Sequence, residues 1–375
     1  MELFLDILKK EEQITLSLRQ LYAKWGYKKY KMSKFEEYDF YVENKNFLTS
    51  ENIITFNDMN GKLLALKPDV TLSIVKNTKA DKANSQRLYY IENVYRLSKQ
   101  NNEYREINQM GLEFLGDVDL YSTIEVIRLA ISSLSNISED FILDISHMAF
   151  ITALLDGLEV EEDERAELLG CIRAKNPHEL KIRADRMGIP DVYQDKLMKI
   201  TSLYGDFGPT LKAAEQLAIN EDMKKSLDEL KALYEALSAM KFSKNLQLDF
   251  SMINDIDYYS GIIFQGYVKG IPHAILSGGR YDNLMKKFDK DVGALGFALY
   301  LNELERYFKT PAAYDVDAVV LYDMDADFGR LSREVQGLIN RGISVRVERH
   351  IPDELRFKKL YRFRDEKLEE VSHDA

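Results

Sequence analysis

LALKPDVT, residues 64–71, decides how this chain is read. It is an apolar strand stopped by Pro68, and Asp69 and Thr71 then stand where a helix begins, their oxygens placed to accept from unpaired backbone N–H groups. Just upstream, ENIITFND (51–58), Met59-Asn60-Gly61 and KLLALKP (62–68) read as a hairpin turned at Asn-Gly. Downstream, DVTLSIVKNT (69–78) is the helix, and RLYYIENVYRLS (87–98) and REINQMGLEFLG (105–116) are two more strands joined by the polar run 99–103. Before all of these, Ile14, Leu18, Leu21 and Trp25 make one apolar stripe on a helix over about 8–25, with Gly26 as its stop.

Further along, a helix is expected at about 121–135. Residues 150–242 are rich in Leu, Ala, Glu and Lys at helical spacing, with Leu227, Leu230, Tyr234 and Leu237 in one stripe, and read as a helical insertion. Strands resume at NLQLDFS (245–251) and DYYSGIIFQGYV (257–268), followed by SGGRYDNL (277–284) and VGALGFALYL (292–301). From about residue 311, DAVVLY, FGRLSREVQGLINRG and ISVRVER spell a short βαβ unit. This order gives an α+β domain over 1–310 and a small α/β domain over 311–375.

The composition bounds the function. The chain has 375 residues with 51 Lys plus Arg against 62 Asp plus Glu, a net charge of −11, which argues against a broad nucleic-acid-binding surface. A lone Cys171 excludes an intramolecular disulfide and fits a reducing cytoplasm. The N-terminal MELFLDILKKEEQITLSL lacks a signal-peptide core, and no stretch approaches the length of a membrane span. The five histidines, at 147, 178, 273, 350 and 373, show no metal-ligand spacing, and His147 within ILDISHMAF reads as a core residue. GDFGPT and SGGRYD carry no Walker or dinucleotide spacing, and Gly278 and Gly279 read by default as a tight turn. No cofactor or metal is expected.

LALKPDVT, YREINQMGLEFLG, DIDYYSGIIF and SGGRYDNL, in this order, resemble the catalytic domain of histidyl-tRNA synthetase over about residues 10–306. The resemblance implies a class II aminoacyl-tRNA synthetase-like antiparallel sheet flanked by helices. It also implies a cradle for an amino acid: Asp69 and Thr71 for the α-ammonium, Gln109 for the polar end, Glu113 for an imidazole N–H, and Tyr258 and Tyr259 as a closing pair. Gln109 and Glu113, four apart on a strand, face the same way. Each residue also has a plainer reading, Asp69 as a helix cap, the tyrosines as packing, and Gln109 and Glu113 as a solvated strand face.

The family's adenylation apparatus reads as dismantled. Activating an amino acid with ATP needs cations on a polyanionic transition state. The second motif, Tyr95-Arg96-Leu97-Ser98, keeps its arginine but has Ser98 for a glutamate. Glu103 stands for an arginine before the retained Tyr104-Arg105, Glu303 stands for the arginine of the third motif, and Asn254 replaces the arginine of the histidine signature. Ser33 replaces a proline in the dimer-forming first motif.

A retained cradle, lost ATP cations and a shortened C-terminal domain are together similar to the regulatory subunits of ATP phosphoribosyltransferase, paralogues of histidyl-tRNA synthetase. Pro68-Asp69-x-Thr71 and Arg105-Glu106 before Gln109 are typical of them. The resemblance implies a non-catalytic cytoplasmic chain that self-associates as a dimer and joins a short-form catalytic subunit in a hetero-octamer. It further implies a role in the first step of histidine biosynthesis, with histidine as effector and no tRNA. Arg96 and Arg105 join the cradle residues as candidate ligand contacts, and the competing reading is an active, divergent ligase. The basic, aromatic LRFKKLYRFRDEK (355–367) is expected to be a solvated helix or a partner contact.

Overall fold

The computed structural model describes residues 8–45, 48, 52–98, 101–158, 160–253, 258–308 and 314–371. Two compact units divide the chain between Phe308 and Lys309. The first opens with α1 (Lys10–Lys24), which buries Ile14, Leu18 and Tyr22 and stops at Gly26, whose φ of 81° suits a residue without a Cβ. β1 (Lys28–Lys29), β2 (Phe35–Glu37) and α2 (Tyr38–Glu43) follow. β3 (Thr55–Asn57) and β4 (Leu63–Leu66) form the expected hairpin, with Asp58 Oδ1 accepting from the N–H groups of Asn60 and Lys62 and Gly61 at φ 81°. With β2 they make a separate three-stranded sheet.

α3 (Thr71–Asn77) begins just past Pro68. The long hairpin of β5 (Gln86–Leu97) and β6 (Tyr104–Gly116) pairs antiparallel throughout, and α4 (Leu120–Ile137) follows, capped by Asp119, whose Oδ1 accepts from the Ser122 N–H at 2.8 Å. β7 (Phe141–His147) and α5 (Met148–Leu155) lead into the helical segment: α6 (Glu162–Arg173), α7 (Pro177–Arg186), α8 (Asp191–Ile200), β8 (Tyr204–Asp206), α9 (Phe207–Glu215) and α10 (Glu221–Ala239). The chain returns through β9 (Leu246–Asp249), β10 (Ile262–Val268), β11 (Leu276–Arg280), α11 (Asp282–Lys287), β12 (Gly293–Tyr300) and α12 (Leu301–Tyr307).

Among the described residues, nine strands form the main sheet in the order β1-β5-β6-β12-β11-β10-β7-β9-β8. Pairing is antiparallel except for β1 with β5 and β7 with β9, giving the expected α+β architecture of an antiparallel sheet flanked by helices. One face is closed by apolar packing, with Leu134 of α4 set so tightly over Gly266 that a Cβ there would lie 2.7 Å from it. The other face carries Tyr90, Gly111, Ala298 and Ser277 in register across the strands, with the polar Gln109 and Glu113 on the same side of β6. Gly278 and Gly279 lie within β11 rather than in a turn: a Cβ on Gly278 would come within 2.5 Å of Phe297 Cβ, so close packing is what requires the glycine.

The second unit is a four-stranded sheet, β14-β13-β15-β16, with α13 (Phe328–Asn340) joining β13 (Val316–Leu321) to its parallel neighbour β14 (Val345–Glu348), the expected βαβ unit. The expectation of a solvated helix at 355–367 is wrong. This segment is β15 (Phe357–Arg364), parallel to β13, turning into β16 (Lys367–Val371). Burial decides it: Leu360 packs with Val319 and Leu321 on one face while Phe363 packs with Val320, Leu331 and Leu338 on the other. A strand sends residues three apart to opposite faces, as Leu360 and Phe363 require, whereas a helix would bring them to one side.

Candidate functional site

A cavity of about 250 Å³ opens on the polar face of the main sheet. Its floor is made by glycines. Glu113 on β6 pairs across to Gly296 on β12, where a Cβ would overlap the Glu113 carboxylate and come within 2.5 Å of the Leu112 carbonyl oxygen. Tyr90 lies across Gly111, where a Cβ would overlap its ring. Bare backbone thus makes the room in which two side chains lie down on the sheet.

Glu113 is 2 % exposed. Thr71 Oγ1 donates to its Oε1 at 3.0 Å and the Tyr281 hydroxyl donates to its Oε2 at 2.5 Å. Burial pushes its carboxyl up to about 8; the two hydroxyl donors oppose that rise and nearby Asp69 adds to it. Gln109, four residues back on the same strand and also buried, faces the same cavity. Tyr258 and Tyr259 stand with ring centroids 4.6 Å apart and close one side, and Tyr258 meets Tyr281 at 5.7 Å.

The loop carrying Asp69 is clamped to β5. Lys67, 1 % exposed, donates from Nζ to Glu92 at 2.5 Å, and the Tyr95 N–H donates to the Lys67 carbonyl at 3.0 Å. Arg96 donates from Nε to the Pro68 carbonyl at 2.7 Å, and its Nη2 meets Asp69 Oδ2 at 3.3 Å. Asp69 Oδ1 accepts from the Leu72 N–H at 2.9 Å, so the aspartate caps the start of α3 with one oxygen and presents the other to Arg96 in the cavity. The cap reading and the ligand reading describe two oxygens of one side chain.

Asp69, Thr71, Arg96, Gln109, Glu113, Tyr258 and Tyr259 therefore share one cavity. Arg105 does not line it: it is exposed on β6 opposite Arg96, near the hairpin end. Three lining tyrosines were missed, Tyr90, Tyr281 and Tyr300. Tyr281 belongs to SGGRYDNL, where nothing local distinguishes a cavity-lining tyrosine from a packed one.

Among the described residues, the cavity is lined by a single cation, Arg96, already engaged with Asp69 and a carbonyl. Glu303 sits outside it on α12, within 3.3 Å of His273 and 3.2 Å of Arg306, and Glu103 is exposed in the hairpin loop. Asn254, at the place of the signature arginine, lies outside the described residues. Two carboxylates, one neutralised cation and a ring of phenols suit a small nitrogen-rich zwitterion and oppose a triphosphate.

The sheet is that of a class II aminoacyl-tRNA synthetase-like protein, and among the described residues its cavity is lined by one cation, Arg96. Comparison with known proteins narrows the class. The family model of histidyl-tRNA synthetase matches residues 2–304. An ATP phosphoribosyltransferase regulatory subunit of Oceanobacillus iheyensis is 32 % identical over 302 residues, 80 % of this chain and 74 % of that one. Another, of Clostridium kluyveri, is 30 % identical over 354 residues, 90 % of this chain and 89 % of that one. Among solved structures, an ATP phosphoribosyltransferase regulatory subunit/histidyl-tRNA synthetase from Bacillus halodurans superposes with a TM-score of 0.75 at 24 % identity, covering 90 % of this chain and 88 % of that one. The ATP phosphoribosyl transferase (HisG:HisZ) complex from Thermotoga maritima contains a chain matching with a TM-score of 0.61 at 18 % identity, over 77 % of this chain and 96 % of that one. This chain belongs to the histidyl-tRNA synthetase-like family, among the ATP phosphoribosyltransferase regulatory subunits.

Proposed function

We infer that the chain is the non-catalytic regulatory subunit of ATP phosphoribosyltransferase, acting with a catalytic subunit in the first step of histidine biosynthesis. The observation that supports this is the cavity: Asp69, Thr71, Gln109 and Glu113 line it together, while Arg96, the one cation lining it among the described residues, is paired with Asp69. An active ligase is not favoured: of the two retained arginines, Arg96 is paired with Asp69 and Arg105 stands outside the cavity.

The finer reading places free histidine in the cradle as effector. Its α-ammonium meets Asp69 and Thr71, its carboxylate meets Arg96, Gln109 holds the polar end, and its ring reaches Glu113. The occupied cradle changes catalysis only by binding two states of the assembly with different affinity, a coupling of about 1–3 kcal/mol. A dimer of this chain within a cytoplasmic hetero-octamer is the assembly that accords with the family; among the described residues no helix is long and apolar enough to cross a membrane.

The test combines the chain with a short-form catalytic ATP phosphoribosyltransferase subunit and measures phosphoribosyl-ATP formation with and without histidine. A stoichiometric complex, raised activity and inhibition by histidine are expected, with no histidine-dependent exchange of pyrophosphate into ATP by this chain alone. Robust exchange without a partner refutes the reading. Unchanged inhibition in a Glu113→Ala variant moves the effector to another surface.

A further inference from the structure

We propose that a second cavity, between α10 and the corner where β11 turns into α11, binds the phosphoryl group of a small phosphate monoester, held by Arg280 and Lys286. This goes beyond the reading of the cradle and does not depend on it. The cavity has about 530 Å³ against about 250 Å³ for the cradle, and Tyr259 is the one residue common to the two linings.

Among the described residues, four carboxylates line this space, and each has a partner. Asp156, just after α5, accepts from Arg165 Nη1 at 2.7 Å. On α10, Asp222 meets Lys225 Nζ at 2.8 Å and Glu229 meets His147 Nε2 at 3.1 Å. Asp282 accepts from Arg280 Nε at 2.8 Å with Oδ2 and from the Ala294 N–H at 3.0 Å with Oδ1. The cations are not used up in the same way. Arg280 gives only Nε to Asp282, so the N–H groups of Nη1 and Nη2 meet no protein acceptor among the described residues. Lys286, exposed on α11, enters no ion pair among them. The hydrogen-bonding capacity left over in the cavity is therefore cationic.

Arg280 is also held in place. Its backbone carbonyl accepts from the Ser260 N–H at 2.9 Å, and the Asp282 N–H donates to Ser260 Oγ at 3.1 Å. Its stem lies over Gly261, where a Cβ would come within 3.2 Å of Arg280 Cδ, so bare backbone makes the room for it. A guanidinium fixed through Nε presents its two outer nitrogens as a planar fork, the shape that pairs with two oxygens of one anion. Lys286 stands four residues after Asp282, one turn along α11, and brings a point charge to the same cavity. The same pair borders a smaller hollow of about 180 Å³, in which Lys82 is engaged by Asp291 and Lys290 by the Thr78 carbonyl. Two uncommitted positive charges match a phosphoryl group, close to a dianion at neutral pH, better than a carboxylate with its single charge. The larger cavity has room for the carbon skeleton of an ester beyond its phosphate. At a net charge of −11 the chain as a whole repels phosphate, so saturable binding has to come from a local site.

Phosphorus NMR of glycerol 3-phosphate titrated with the full chain, in chloride buffer near pH 7.5, tests this. Saturable binding is expected, weakened about tenfold in Arg280→Gln and about threefold in Lys286→Gln. Lys286→Gln leaves every ion pair among the described residues intact, so the test stands even where Arg280→Gln fails to fold. Arg364→Gln removes an exposed arginine from the β15–β16 hairpin of the second unit and should change nothing. Acetate should bind about tenfold more weakly than the ester, and inorganic phosphate no more tightly than it. Absence of saturable binding, indifference to both the Arg280 and Lys286 substitutions, or equal weakening by Arg364→Gln overturns the proposal. Acetate binding as tight as that of the ester overturns the assignment to phosphate, and tighter binding of inorganic phosphate overturns the assignment to an ester.

Discussion

Replacing Glu113 with Gln should make the empty chain more stable at alkaline pH, and the size of the gain follows from the buried carboxyl. Its folded value of about 8 lies above the ordinary 4.5, so between these values the native state binds a proton that the unfolded chain releases. Stability then falls as pH rises, by about 1.4 kcal/mol per unit across the interval, and its contribution is intact below about 4.5 and exhausted above about 8. The full interval amounts to roughly 5 kcal/mol; relaxation and water entry around a new anion bring the expected figure to about 2–4 kcal/mol. Glutamine keeps the shape and hydrogen-bonding capacity without titrating. Urea unfolding followed by the fluorescence of Trp25, the chain's one tryptophan and part of the first unit, should show Glu113→Gln gaining on the parent from pH 5 to about 8 and levelling off above. A difference between the two proteins that does not vary with pH would refute the claim that Glu113 is buried without a counterion.

Gly296→Ala forces a methyl group into the Glu113 carboxylate and the Leu112 carbonyl, and should cost about 1–3 kcal/mol in urea unfolding while abolishing histidine binding by calorimetry. Glu92→Ala strands the buried Lys67 ammonium and should cost about 3 kcal/mol by the same unfolding assay, whereas Lys67→Met, which leaves only a partly solvated glutamate, should cost about 1. Asp365 and Glu366 turn the β15–β16 hairpin with φ of 45° and 60°, the left-handed pair that suits Asn-Gly. Asp365→Asn with Glu366→Gly should therefore raise the resistance of this hairpin to proteolysis, a gain of about 1 kcal/mol.

What the sequence showed clearly was local. The Asn-Gly hairpin, the stop at Pro68, the stripe of α1 and the same-face placement of Gln109 and Glu113 all depend on neighbours within a few residues. Arg105 shows where period alone stops being enough. It has the same parity as Gln109 and Glu113, but it lies four residues beyond Gln109, roughly 13 Å along the strand, past the end of the cavity. Arg96 lies opposite it in register and still reaches the site, because it bends onto the Pro68 carbonyl. Tyr90 and Tyr300 were invisible for a related reason. Their place is set by cross-strand register, Tyr90 against Gly111 and Tyr300 against Gln109, which no single segment encodes. The segment 355–367 misled because its charged and aromatic residues follow neither period cleanly and its turn carries Asp-Glu where Gly or Asn would have announced a hairpin.

The Arg96–Asp69 contact has a consequence for how such a site responds. A pocket that presents an anion and a cation to a zwitterion would be costly to keep empty if those charges had no other company. Here they satisfy each other at rest, and on the proposed reading an arriving amino acid would have to part them before it gained anything. Part of the attraction would then be cancelled in advance, so that moderate binding and easy departure are expected. An arrangement of this kind follows the rise and fall of a metabolite's concentration, where a tighter grip would stay saturated and report nothing.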